Sequence, residues 1–313
     1  MSKPYVALAS LPDPDERPPL CLLKLDALLQ HPFREREPIL GDWLLTSGLA
    51  MIHSWRGVGK THTALGVAYA AASGGRFLRW SAPKARRVLY LDGEMPGASL
   101  AHRVSAIVAH SDAEAVAENF TVLTPDAQPE GMPDLATPEG QADIDRAIEE
   151  CDAELIVVDN LSCLVRAGKP ENDAESWQPV ATWALSHRKQ GRTILFVHHS
   201  GKNGAQRGTS KREDILDTVI ALKRPGDYSP TEGARFEVHF EKHRNDKGDS
   251  AKTFEARLGE DASGKPEWTM CDLEEGSRAK VLEMKALGMS ATEIASELGI
   301  HRSTVYRNFK EAA

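Results

Sequence analysis

The feature that most restricts this chain is the run Ser54-Trp55-Arg56-Gly57-Val58-Gly59-Lys60-Thr61. It follows the apolar segment 50–54 (AMIHS) and opens an amphipathic stretch near 60–73. A glycine-rich turn between a strand and a helix, closing in Gly-Lys-Thr, has the form of a phosphate-binding loop. Backbone amides of residues 57–61 would cradle phosphate at the helix N-terminus, where the helix dipole adds to the attraction. Lys60 would reach the terminal phosphates of a nucleotide, and the Thr61 hydroxyl would ligate Mg²⁺. The first glycine of the common G-x-x-x-x-G-K-T pattern is Ser54 here. Trp55, Arg56, Val58 and His62 complete the set expected to line the nucleotide.

Around this loop, short apolar runs alternate with helical patterns. Strands are expected at 50–54, 87–92, 119–124, 154–159 and 193–198, with helices near 60–73, 97–109, 138–151 and 173–190. Near-continuously apolar strands between helices indicate a parallel sheet covered on both faces. After residue 215 the segments 217–223, 234–243 and 252–258 alternate and read as antiparallel strands. The fold class is therefore α/β, a mostly parallel sheet flanked by helices with antiparallel strands added late, followed by a small helical tail.

Three strand ends carry polar residues beside the loop. ELIVVD ends in Asp159, the place where an acid holds Mg²⁺ through water, or else caps the following helix. RVLYLD leads into Gly93-Glu94, and a carboxylate there would orient and deprotonate an attacking water. Arg103, nine residues on, would hold that segment or reach phosphate. TILFVH ends in His198-His199, one of which would sense the terminal phosphate; adjacent strand residues face opposite ways, so a shared metal is not indicated.

With 41% hydrophobic and 27% charged residues in 313, the chain can build a real core, and wholesale disorder is excluded. No apolar run approaches the roughly 18 residues of a membrane helix. The first 19 residues carry prolines clustered with Asp and Glu in place of a secretory apolar segment, so a cytoplasmic protein without membrane contact is expected. Cys21, Cys151, Cys163 and Cys271 have no metal-ligand spacing and read as free thiols. The expected organisation is an N-terminal extension over 1–35, a nucleotide-binding domain over 36–270 and a helical domain over 277–313.

Charge is uneven. The net −8 divides into +2 on residues 277–313 and −10 on the rest, as befits a small basic module on an acidic body. The glycine-rich segment 200–213 carries Lys202, Arg207, Lys211 and Arg212, which would grip nucleic-acid phosphates. Lys242 and Arg244 share one face of an extended strand and would reach a neighbouring subunit's nucleotide as an arginine finger does. In the tail, a helix over 277–287 closes at Gly288, Ser290 and Glu293 have capping-box spacing, and HRSTVYRNFKE forms a third helix. That is helix-turn-helix geometry. Ile294, Ala295, Leu298, Ile300 and Val305 would be its core. His301, Arg302, Ser303, Thr304, Tyr306 and Arg307 would face duplex DNA.

The ordered set GVGKT, YLDGE, LIVVDN, FVHH, RGTS and K-x-R-N over residues 35–260 resembles the RecA-like ATPase core of ring-forming replicative helicases of the plasmid RepA type. The tail is similar to the DNA-binding end of resolvase/invertase recombinases. The first resemblance implies ATP and Mg²⁺ at Lys60 and Thr61, a catalytic glutamate at Glu94, the strand-end acid at Asp159, a sensor at His198 or His199, and a trans-acting pair at Lys242 and Arg244. It also implies homo-hexameric rings moving on single-stranded DNA. An ATP-switched DNA-binding regulator and a recombination or repair ATPase are the alternatives. Two features depart from the pattern, Ser54 and the shortness of the 200–213 segment.

Overall fold

The computed structural model describes residues 20–166, 174–200, 212–244, 251–262, 266–298 and 301–310. The chain divides into two compact units, Met1–Glu35 and Arg36–Ala313. In the first, the short helix α1 (Leu25–Gln30) buries none of its side chains. Everything below concerns the second.

Its centre is a nine-stranded sheet. In chain order the strands are β1 (Pro38–Leu40), β2 (Leu44–Leu45), β3 (Leu49–Ser54), β4 (Arg76–Phe77), β5 (Trp80–Ser81), β6 (Val88–Asp92), β7 (Phe120–Leu123), β8 (Leu155–Asp159), β9 (Thr193–His199), β10 (Thr218–Lys223), β11 (Arg235–His243), β12 (Phe254–Glu260) and β13 (Pro266–Asp272). The large sheet runs β13-β12-β11-β10-β3-β9-β8-β6-β7. Strands β10, β3, β9, β8, β6 and β7 are parallel, and β11, β12 and β13 are antiparallel additions. The remaining strands form two small hairpins, β1-β2 and β4-β5.

Two apolar layers cover the sheet. On one face lie α2 (Lys60–Ser73), against Ala50, Ile52, Tyr90, Val157 and Val197, and α3 (Gly97–Ala109), which adds Leu100 to the same cluster. On the other lie α4 (Pro138–Glu150), the short α5 (Leu161–Leu164) and α6 (Ala174–Lys189), against Met51, Leu89, Val158 and Phe196. All residues of β3, β6 and β8 are buried. Complete burial of each aliphatic side chain contributes about 1.5–3 kcal/mol, so these strands anchor the fold. The alanine-rich α2 is itself enclosed by the β4-β5 hairpin. Its Gly66 admits the Phe77 ring so closely that an added methyl would come within 2.1 Å of it.

Each expected strand is present, within one or two residues at its ends. The tail differs. Residues 266–272, where no strand was expected, form the edge strand β13 on β12, with Pro266 at the strand start where its missing N–H is tolerated. Helix α7 then begins at Leu273, four residues earlier than expected. Helices α8 (Ala291–Glu297) and α9 (Arg302–Lys310) follow, and Ser290 and Glu293 close the expected capping box. Val281, Ile294, Ala295 and Val305 are buried together, with Met284, Met289, Leu298 and Phe309 packed around them. Ile300 lies outside the described residues. No described helix is long and apolar enough to cross a membrane.

Candidate functional site

The parallel strands β3, β6, β8 and β9 all point their C-terminal ends to one edge of the sheet. A crevice at such an edge is where open α/β sheets bind ligands. Alternation places Ser54, Tyr90, Asp92, Asp159 and His199 on the α2 face. There a cavity of about 590 Å³ is lined by the loop residues Arg56, Gly57, Gly59, Lys60, Thr61 and His62, and by Glu94, Arg103, Asp159, Asn160 and His199 among others.

The loop is shaped for an anion. Gly57 and Gly59 have φ of +76° and +126°, where a side chain would be strained. Nothing stands within 4 Å of the position a Gly57 Cβ would take. Lys60 is buried, and its Nζ donates to the carbonyls of Ser54 (3.1 Å) and Trp55 (3.2 Å) and to the Ser54 hydroxyl (3.3 Å). Burial, more than anything else, pushes its pKa down to about 8, while Asp159 and Glu94 pull it upward. Val58 is buried and anchors the loop in the core, whereas Trp55 is 39% exposed. His62 is likewise shifted down, by burial and then by Arg103.

Opposite the loop, three carboxylates converge, each with its own donor. Asp159 Oδ2 accepts from the Tyr90 hydroxyl at 2.6 Å. Burial raises the Asp159 pKa to about 6, opposed by hydrogen bonds from Tyr90 and Thr61. Asp92 Oδ2 accepts from the Thr124 hydroxyl at 3.0 Å, and its Oδ1 receives the amides of Glu94 and Met95, fixing the turn that presents Glu94. Glu94 Oε2 accepts from Asn160 Nδ2 at 2.5 Å, and Nδ2 lies 3.3 Å from His199 Nε2. The Asn160 amide is oriented because its Oδ1 accepts from the Cys163 amide.

These residues fit a magnesium nucleotide. The two side chains expected to hold the ion, Thr61 and Asp159, offer only oxygen, as a hard cation prefers. Among the described residues no group of three or more His, Cys, Asp or Glu could hold a metal alone. Magnesium would therefore enter with the phosphates, as is usual for this ion.

Several expected positions need correction. Of the histidine pair, His199 lines the cavity, not His198. His198 lies on the opposite face, fully buried, with Arg212 Nη1 3.0 Å from its Nε2. Arg212, expected on a DNA-gripping segment, is buried and lies over the Trp177 ring at 5.9 Å. Lys202, Arg207 and Lys211 lie outside the described residues. Lys242 lies on β11 and Arg244 directly follows it; the end of this strand pairs with the start of β10, at the edge opposite the cavity. Lys242 donates to the Glu213 carbonyl, and Arg244 to that of Asp214 at 2.6 Å. In the tail, Arg302, Ser303 and Tyr306 are exposed and Thr304 is half-buried. The Arg307 side chain lies outside the described ones.

Four residues of this site were not singled out from sequence: Tyr90, Asp92, Asn160 and Arg224. Arg224 Nη2 donates to the Gly57 carbonyl at 2.5 Å, and its guanidinium stacks 3.6 Å over Tyr228. Asn160 follows the strand-end acid directly, which is a signal for it; Tyr90 and Arg224 reach the site through sheet neighbours distant in sequence.

The sheet order, the strand-end crevice and the three-helix tail define a RecA-like α/β fold with a helix-turn-helix-type domain at its end. Residues 16–205 match the family model described as AAA domain, and residues 272–312 match one described as a homeodomain-like domain. The chain belongs to the AAA-domain family. Its structure is similar to the crystal structure of a KaiC-like protein from the hyperthermophilic archaeon Pyrococcus horikoshii, with a TM-score of 0.51 and 14% identity over 69% of this chain and 88% of that one. No curated protein matches.

Proposed function

We propose that this chain is an ATP-hydrolysing, DNA-binding motor that works as a ring, with residues 36–270 as the ATPase and 277–313 as a duplex-binding module. The observation that carries this is the placement of Lys60, Thr61, Glu94 and Asp159 around one cavity, with the basic pair Lys242 and Arg244 at the far edge of the same sheet. A subunit built this way has the phosphate loop and the acid, and offers its arginine elsewhere.

Amides 57–61 and Lys60 would hold the phosphates. Bound Mg²⁺, near Thr61 and Asp159, would neutralise charge on the transferring group. Glu94, steered by Asn160, would accept the proton of the attacking water, and His199 would read the terminal phosphate. The cavity adjoins, through His62, an apolar pocket of about 310 Å³ lined by Tyr69, Phe77, Ile107, Leu258 and Trp268, with room for a nucleobase. Arg244 of a neighbour would complete the charge. Arg302, Ser303 and Tyr306 would contact duplex DNA.

A subunit-mixing assay tests the shared site. Lys60→Ala and Arg244→Ala chains should each be inactive alone and recover hydrolysis when mixed, because some interfaces then carry both intact residues. No recovery, with both variants folded, would refute the shared site.

One observation favours the regulator reading. The β10–β11 connection touches the phosphate loop through Arg224 and the tail through Asp227, whose Oδ2 accepts from Lys280 of α7 at 2.7 Å. Nucleotide at the loop would then bias the tail. Under that reading duplex affinity changes with nucleotide, and hydrolysis is indifferent to single strands.

A further inference from the structure

We propose that Tyr90 is a positioning residue for the magnesium-nucleotide centre, its buried hydroxyl holding the Asp159 carboxylate in the orientation that the ion requires. This rests on the proposed role of Asp159 and gives a role to a side chain for which the sequence reading offered none.

Tyr90 and Asp159 lie on adjacent parallel strands. Asp92 is the register partner of Asp159, and Tyr90 is two residues earlier, so its side chain emerges on the same face. The Tyr90 side chain is fully buried. Its ring stacks on Phe120 at 25° and 6.5 Å, which fixes the plane along which the hydroxyl points. The hydroxyl then lies 2.6 Å from Asp159 Oδ2.

Packing alone does not call for a hydroxyl there. Val88, the preceding residue on this face, is apolar and equally buried. A buried phenol oxygen needs a partner, and this one donates to a carboxylate that is itself nearly buried. A donor committed to Oδ2 fixes one oxygen of Asp159 and directs the other toward the phosphate side. Hydrogen-bond partners of this kind behind a metal ligand typically matter by 10–100-fold in metal affinity.

Tyr90→Phe removes only the hydroxyl. Binding of a fluorescent ATP analogue is titrated with Mg²⁺ in the full chain, alongside melting in EDTA. The Mg²⁺ concentration at half-maximal tight binding should rise about tenfold. Analogue affinity in EDTA, where no Mg²⁺ is held, should stay near wild type. An unchanged Mg²⁺ midpoint in Tyr90→Phe, whether or not its melting temperature falls, overturns this assignment alone. A wild-type chain that binds the analogue without any Mg²⁺ dependence overturns the underlying role of Asp159 together with it.

Discussion

The Lys60 ammonium rests 3.1 Å from the Ser54 carbonyl and 3.3 Å from the Ser54 hydroxyl, so the residue standing at the usual first-glycine position holds the lysine before phosphate does. The amine is buried, and its pKa is pushed down to about 8. Unfolded, it titrates near its ordinary value of 10.5. Between these two values the unfolded chain binds more protons, so this group's unfavourable contribution is full below pH 8 and fades as pH rises toward 10.5. Lys60→Met should therefore raise the melting temperature of the nucleotide-free protein at pH 7, by about 1–2 kcal/mol in stability, while abolishing nucleotide binding. Thermal melts at pH 7 and pH 10 check this: the gain should shrink at the higher pH.

Glu94 is held by Asn160, and the two should separate kinetically. Glu94→Gln is expected to retain nucleotide binding and to lower turnover by about 10²–10⁴-fold, the usual contribution of a positioned base. Asn160→Ala should lower turnover less and leave binding intact. Equal loss of binding in both would point to collapse of the cavity wall.

The two adjacent histidines should behave differently. His199→Ala should reduce hydrolysis with little loss of stability, because the side chain lines the cavity. His198→Ala leaves the buried Arg212 without its 3.0 Å partner, and should cost about 2–4 kcal/mol in denaturant unfolding.

Arg302 and Tyr306 are exposed on α9. Their alanine variants should weaken duplex binding in fluorescence anisotropy, each by about 1–3 kcal/mol for a base contact or with a shallower salt dependence for a phosphate contact. ATP hydrolysis without DNA should be unaffected.

How much of this was legible beforehand follows from which interactions are local. The phosphate loop, the strand-end acids and the capping box at Ser290 are runs of adjacent residues, and they emerge where expected. The parallel strands were visible as short apolar runs, yet burial on both faces removes the alternation that would have told His198 from His199. The strand register, in which Ser54 is the partner of His199, separates them. The charge of Arg212 read as solvent-facing because composition carries no information on burial. Strand β13 was masked by the turn-like residues before it. Tyr90–Asp159 and Arg224–Gly57 join residues 69 and 167 apart in sequence and depend on strand order, which a single chain's periodicity does not reveal.

The most direct measurement is steady-state ATP hydrolysis by the full chain with Mg²⁺, alone, with single-stranded DNA and with duplex, beside Lys60→Ala. The account predicts hydrolysis that single strands stimulate and that Lys60→Ala abolishes. Turnover at background, or turnover that survives in Lys60→Ala, would contradict the assignment of this cavity; Lys60-dependent turnover indifferent to single strands would contradict the motor.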